Sequence, residues 1–372
     1  MMMPETGRSL TLTPNNMKKR DLSMIMALFM AMACPDLSAQ DQRPWFEGGP
    51  WTRPSPNPKA TVLPLISVQG NKFVDPEGKT VLFRGLSISD PDKIAHQGHW
   101  NKAHFEHVKE TGAMIVRIPV HPVAWRERTP EKYLELLDQA VEWCTDLGMY
   151  VIIDWHSIGN LEMELFQNPM YNTSKQETYR FWRTIAQHFK GHHTIAFYEI
   201  FNEPTIYRGQ LGSMTWPEWK KINENVIRLI RAFDAETVPL VAGFDWAYDL
   251  SPLRTDPVEA EGIGYVSHPY EHKRQPPWEP KWEEAFGFAA EKYPVVVTEF
   301  GFGVRPGTSM DPDHYGYHII DYLESKGISW LCWVYDPEWY PRTLRDWDTY
   351  ELTESGAFFK SAMHGELDIQ HH

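Results

Sequence analysis

Two glutamates in this chain stand at the ends of apolar runs. Glu203 closes I-A-F-Y-E-I-F-N-E-P at 195–204, and Glu299 closes P-V-V-V-T-E at 294–299. Runs with few polar breaks and many β-branched or aromatic residues read as buried strands, and Pro204 is a residue at which a strand ladder stops. A carboxylate placed where such a strand runs out sits on a rigid base with its head free. A lone acid there is ordinarily just solvated, but two can divide labour. One holds a proton for a leaving oxygen while the other stays ionised and attacks. Facing each other at about 5 Å, such a pair suits cleavage of a glycosidic bond with retention of configuration. Glu203 is read as the acid/base, kept protonated by the anion opposite, and Glu299 as the nucleophile. Once Glu299 is glycosylated its charge disappears, and Glu203 can then serve as base toward water.

The elements that must position this pair follow from the alternation of patterns. Apolar, strand-like runs fall at 81–86, 114–120, 149–154, 195–201, 238–243, 263–268, 294–299 and 328–334. Helical patterns lie between most of them, at about 100–111, 130–147, 175–190, 217–233, 279–292, 312–326 and 353–363. The clearest has Pro130 at its start, Leu134, Leu137, Val141 and Cys144 at three- and four-residue steps, and Gly148 at its end. Eight strands alternating with helices in one domain predict an α/β fold, a (β/α)8 TIM barrel, with a short hairpin over 65–74 ahead of it. A doubly wound sheet is the alternative, but no Gly-rich phosphate turn follows the first strand.

In such a barrel the chemistry gathers at the C-terminal ends of the strands. Those ends supply Arg117, His156, Asn202, Glu203, His268, Tyr270, Glu299 and Trp333. Arg117, Tyr270 and His268 are the donors available to hold Glu299 ionised. Asn202 and His156 suit sugar hydroxyls, and Trp333 offers a face to a sugar ring. Each has a plainer reading: Arg117 as a structural ion pair, His268 as a strand cap, Asn202 as a turn residue, Trp333 as core. Their common position at one end of successive strands favours the functional one. Beyond this set, Trp125, Trp155, Trp246, Trp278 and Trp339 lie in or beside loops after strands and are candidate stacking platforms, as are His121 and Asp336 for substrate contact. The long loops 157–171 and 205–216 are expected to wall a cleft.

The residues resemble glycoside hydrolase family 5, a cellulase-type family of retaining barrel enzymes. I-F-N-E-P at 200–204 is similar to its acid/base signature and V-T-E-F-G at 297–301 to its nucleophile strand. R-I-P-V at 117–120, D-W-H at 154–156, S-H-P-Y at 267–270 and W-L-C-W at 330–333 are similar to the remaining positions. The resemblance covers roughly residues 61–365. It implies endo-acting hydrolysis of β-linked glucans or related polysaccharides, with no metal and no organic cofactor. The leading expectation is a retaining endo-β-1,4-glucanase. A β-mannanase, xyloglucanase or mixed-linkage glucanase on the same scaffold is the alternative, and a catalytically silent carbohydrate-binding barrel is the non-enzyme one.

Composition bounds the rest. A formal net charge of −14 argues against nucleic acid or an anionic membrane as partner. Sixteen Trp and sixteen Tyr suit flat, partly apolar ligands such as sugar rings as well as core packing. Residues 1–39 read as a leader with its true start at Met17: Lys18, Lys19 and Arg20, an apolar stretch from Leu22 to Ala33, and a small residue, Ala39, at the cleavage position. This predicts a secreted or periplasmic protein, with lipid attachment at Cys34 as a minor alternative. A Pro-rich linker is expected at 40–60, the catalytic domain at 61–366 and a tail at 367–372. No later segment reads as a membrane span, and the chain is expected to act as a monomer on its polysaccharide.

Overall fold

A computed structural model describes residues 63–305, 310–311 and 313–367. The leader with Cys34, the linker, and nearly all of the predicted tail lie outside the described residues. Eight parallel strands close into a barrel: β1 (Arg84–Ile88), β2 (Ile115–Val120), β3 (Tyr150–Trp155), β4 (Ile195–Glu199), β5 (Val238–Ala242), β6 (Gly264–Val266), β7 (Val295–Val297) and β8 (Ser329–Tyr335). Each pairs with the next in sequence, and β8 pairs with β1. The strands are buried on both faces, which is why they read as nearly unbroken apolar runs. One face packs on helices. The other fills the barrel with Phe83, Ile115, Ile152, Phe197, Leu240, Val296 and Leu331.

The hairpin Ser67–Gln69 with Lys72–Val74 closes the barrel floor. Phe73 meets Phe197 edge-on at 4.7 Å and Phe83 at 6.5 Å. The hairpin arm also explains why β1 begins at Arg84 rather than at 81. Val81 donates its N–H to Phe73, and Thr80 bridges to Val74, so this stretch belongs to the floor.

Pro130–Leu147 is a helix as the spacing requires, its carbonyls at the C-terminus capped by left-handed Gly148. Two short helices, Pro91–His96 and Pro122–Arg128, escaped the periodicity because each is under two turns long. The helical pattern at 279–292 divides at Phe286, whose fully buried ring leaves the helical φ range. Among the described residues no helix is long and apolar enough to cross a membrane.

One departure bears on the site. The fourth strand stops at Glu199, and Glu203–Pro204 forms a separate two-residue strand beside Ile158–Asn160, which pairs in turn with Leu165–Phe166. Pro204 therefore sits inside a small side sheet over the barrel mouth. The approach is tight at Gly159, where a Cβ would come within 2.5 Å of the Leu165 carbonyl oxygen.

Candidate active site

Alternation along the strands builds a polar layer directly above the apolar interior. Two residues beyond Ile115, Ile152, Phe197 and Val296 come Arg117, Asp154, Glu199 and Thr298, all fully buried. Arg117 is the centre of this layer. It donates to Glu199 through Nε at 2.8 Å and Nη2 at 3.0 Å, to Glu299 at 3.0 Å and to Asn202 Oδ1 at 2.6 Å, and it pairs with Asp154 at 2.9 Å. A buried guanidinium is tolerated only with such a set of acceptors. Burial is the largest single effect on Glu199 and acts to raise it, but the Arg117 charge, the Arg117 bonds and the nearby His268 ring together outweigh it and hold the carboxyl at about 2.

Glu299 stands one step higher and accepts from Arg117 and from the Tyr270 hydroxyl, the latter at 2.7 Å. Burial pushes its carboxyl above the ordinary range and Glu203 adds to this, while His268, Arg117 and the Tyr270 bond pull the other way. Burial and the Glu299 charge keep the Tyr270 hydroxyl protonated, well above its usual range. Glu203 lies opposite. One carboxylate oxygen from each glutamate and a ring nitrogen of His268 all lie within 4.8 Å of one another. That spacing is of the order used when the second carboxylate attacks directly and is too short to hold an intervening nucleophilic water.

His268 does not bond Glu299. Its ring is turned by Thr298: the Thr298 hydroxyl donates to Glu199 at 3.0 Å, so its oxygen is open to accept from His268 Nε2 at 2.9 Å. Nδ1 then shares a hydrogen bond with Glu203 Oε1 at 3.0 Å. Burial disfavours a charged ring here, but Glu299, the Glu199 carboxylate 3.6 Å from Nε2 and the bond to Glu203 outweigh it and raise His268 above the ordinary range. The expected donation from His268 to Glu299 is thus corrected: His268 engages the acid/base and reaches Glu299 through charge alone.

Asn202 is fixed by its bond from Arg117, and its buried Nδ2 finds no acceptor among the described residues, which leaves it to donate to a ligand. His156 is bound at Nδ1 to Asp154 at 2.6 Å and held neutral by burial, with His121 and Arg117 adding to the effect. Its ring stacks on Trp333 at 5.4 Å and 2° between planes, and Trp339 continues the stack at 5.9 Å. Pairing between β8 and β1 shifts register between Cys332 and Tyr335, a bulge of the kind that re-aims a side chain, and Trp333 lies within it.

Of these residues, His156, Glu203, Tyr270, Glu299 and Trp333 line an open cleft of about 910 Å³, while Arg117, Asn202 and His268 are fully buried. Of the candidate platforms, Trp246 and Trp339 border it, as does His121, whose ring is held by Asp90 at 2.9 Å. Trp125 and Trp155 do not. Both are fully buried, packed on Phe181 on the helix side of the barrel. Trp278 packs on Trp282 and donates to the Arg274 carbonyl, away from the cleft. Asp336 is buried too. It accepts from Lys93 and from the backbone N–H groups of Glu338 and Trp339, so it shapes the turn bearing Trp339 without facing the cleft. The predicted loop walls supply Ile158, Gln167, Met170, Tyr171 and Arg208.

Asp154, Glu199 and Lys273 were not among the predicted site residues. The first two carried a usable signal, an acid inside an apolar run two residues beyond an inward-facing one. Lys273 carried none, being a loop lysine. Among the described residues, Glu203, His268 and Glu299 form the one cluster with the ligand types and closeness of a cation site. Glu299 already receives two donors there, and the Arg117 charge beside it opposes a second cation.

The family described as cellulase (glycosyl hydrolase family 5) matches residues 74–338. A β-glucanase of Saccharophagus degradans, solved in complex with cellotetraose, is 43% identical, with a TM-score of 0.81 over 86% of this chain and 97% of that one. An endoglucanase of Thermobifida fusca is 26% identical over 85% of this chain and 69% of its own length. An endoglucanase of Butyrivibrio fibrisolvens is 28% identical over 72% of this chain and 59% of its own. The matches span 69% and 59% of the length of these two endoglucanases.

Proposed function

The chain belongs to glycosyl hydrolase family 5, and from that premise we propose that it is a retaining endo-β-1,4-glucanase acting by double displacement. The observation that carries this is the approach of Glu203 and Glu299 within 4.8 Å across the barrel mouth, each with its own set of partners. Glu299 attacks the anomeric carbon of the sugar beside Trp333 while Glu203 protonates the departing oxygen. The Tyr270 and Arg117 donors stabilise Glu299 as its charge returns in the second step. Glycosylation removes the Glu299 charge, and Glu203, joined to His268, then takes a proton from the attacking water. Asn202 Nδ2 donates to a hydroxyl of that same sugar, and His156 receives another.

A glucan is favoured by the relative with 43% identity, a β-glucanase crystallised with a cello-oligosaccharide. The stack of His156, Trp333 and Trp339 suits a run of flat, equatorially substituted rings on the glycone side. Trp246 is the corresponding platform toward the leaving group. The basic cluster at 18–20 and the apolar stretch after it support export of the enzyme. N-terminal sequencing of the protein recovered from the culture medium tests that.

Reducing-sugar release from a panel of β-glucans, xyloglucan and mannan tests the main reading, with Glu203→Gln and Glu299→Gln beside the wild type. Activity on β-1,4-glucan, lost in both variants, is the expected result. Near-normal turnover by either variant would overturn the catalytic assignment. Activity on mannan alone would overturn the substrate.

A further inference from the structure

After β5 the chain makes a turn that side chains ordinarily avoid. Asp245, Trp246 and Ala247 all have left-handed backbone, with φ of 56°, 54° and 58°. Reciprocal bonds between Phe244 and Asp249 close the turn. Gly243 admits the returning strand, since a Cβ there would lie 2.2 Å from the Asp249 carbonyl oxygen. Three successive residues in this conformation persist only when their surroundings hold them.

The hold comes from the loop after β6. The Lys273 ammonium donates to the Asp245 carbonyl at 3.1 Å and to the Trp246 carbonyl at 2.5 Å. Arg274 donates to the Asp245 carboxylate at 3.1 Å and lies over the Tyr248 ring at 4.2 Å. The turn packs against Glu203–Pro204. Its product is the half-buried Trp246 indole, which donates to Gln167 at 2.7 Å, meets Tyr207 edge-on and borders the cleft. Trp246 thus stands on the acid's side, where the leaving group departs.

We propose that Lys273 is a positioning residue: its ammonium clamps the left-handed turn and thereby sets Trp246 as the platform for the leaving-group sugars. The proposal rests on the glucanase reading above. Lys273 borders the cleft, but in this role it acts through Trp246, so its loss falls chiefly on substrates that place sugars on the acid's side. Arg274 supports the clamp from the Asp245 side chain.

The test compares cellopentaose with β-cellotriosyl fluoride, whose small leaving group needs no platform. Lys273→Met should lose about tenfold in kcat/KM on cellopentaose, chiefly through KM, and change by less than about twofold on the fluoride. Lys273→Arg should recover part of the loss. Trp246→Ala should show the same substrate dependence, and adding Lys273→Met to it should cost nothing more. Equal loss on both substrates, or additive losses in the double variant, would overturn the clamp. If Lys273→Met does not fold, Lys273→Gln gives the same comparison with one donor kept. Wild-type enzyme inactive on both compounds would overturn the glucanase reading itself, so the two failures are told apart.

Discussion

Arg117 grips Glu199 through two bonds, at 2.8 and 3.0 Å, on a face of the guanidinium different from the one that reaches Glu299. The bidentate pair fixes the plane of the guanidinium, and the plane sets where its remaining N–H groups point. Glu199 therefore acts on the chemistry at one remove, through the donor that Arg117 presents to the nucleophile.

Glu199→Gln should leave the Arg117 charge short of its main counterion and destabilise the fold by about 3 kcal/mol. The pH dependence has a definite sign. The Glu199 carboxyl is held at about 2 in the folded chain, below its ordinary value of 4.5. Its contribution is therefore fully present above about 4.5 and is lost as pH falls toward about 2. Urea unfolding of both proteins across this range should show a gap in midpoint at neutral pH that narrows on acidification. A gap that did not change with pH would sink the assignment.

Tyr270→Phe removes the 2.7 Å hydroxyl bond to Glu299 and little else. A hydrogen bond to a charged group is worth about 1.5–3 kcal/mol, so kcat/KM should fall by about ten- to a hundredfold. That bond opposes the upward push of burial on Glu299. Without it the nucleophile takes up its proton more readily, and the acidic limb of the kcat/KM profile should move to higher pH. A profile that stayed in place or moved to lower pH would show that Tyr270 does not support the ionised form.

The spacing of the two carboxylates sets the stereochemistry of the product. With oxygens of Glu203 and Glu299 within 4.8 Å, direct attack by Glu299 leaves the β-anomer as the first product. Proton NMR during early hydrolysis of a cello-oligosaccharide should show the β-anomeric signal growing first and the α signal following by mutarotation. Initial formation of the α-anomer would rule out the double displacement.

Phe73 plugs the barrel floor against Phe197 and Phe83, far from the cleft at the opposite end. Phe73→Ala should cost about 3 kcal/mol in unfolding free energy. It should leave kcat and KM on soluble glucan unchanged at temperatures where the fold is intact. Loss of activity in a protein still folded by circular dichroism would mean that the hairpin communicates with the site.

The strand count, the two glutamates and the six residues placed around them were legible in the amino-acid order. Each lies in or just beyond the C-terminal part of an apolar run, and these parts of a parallel barrel share one rim. The tryptophans were not legible. Trp125 and Trp339 are the same residue type shortly after barrel strands, yet one is core and the other cleft wall, because helix packing around Phe181 and the turn over Asp336 decide which way each ring faces. The orientation of His268 was equally hidden, since it depends on the Thr298 hydroxyl thirty residues away.

What the sequence alone determined is therefore what period and residue type can carry: eight buried strands, a pair of acids on the fourth and seventh, and a donor set on the same rim. Only the tertiary structure decided which acid each donor serves, that Glu203 belongs to a side sheet rather than to the end of its strand, and that Lys273 braces a left-handed turn. The reason is physical. Strand periodicity is fixed by local backbone geometry, whereas burial, ring orientation and hydrogen-bond choice are settled by contacts between residues far apart in the chain.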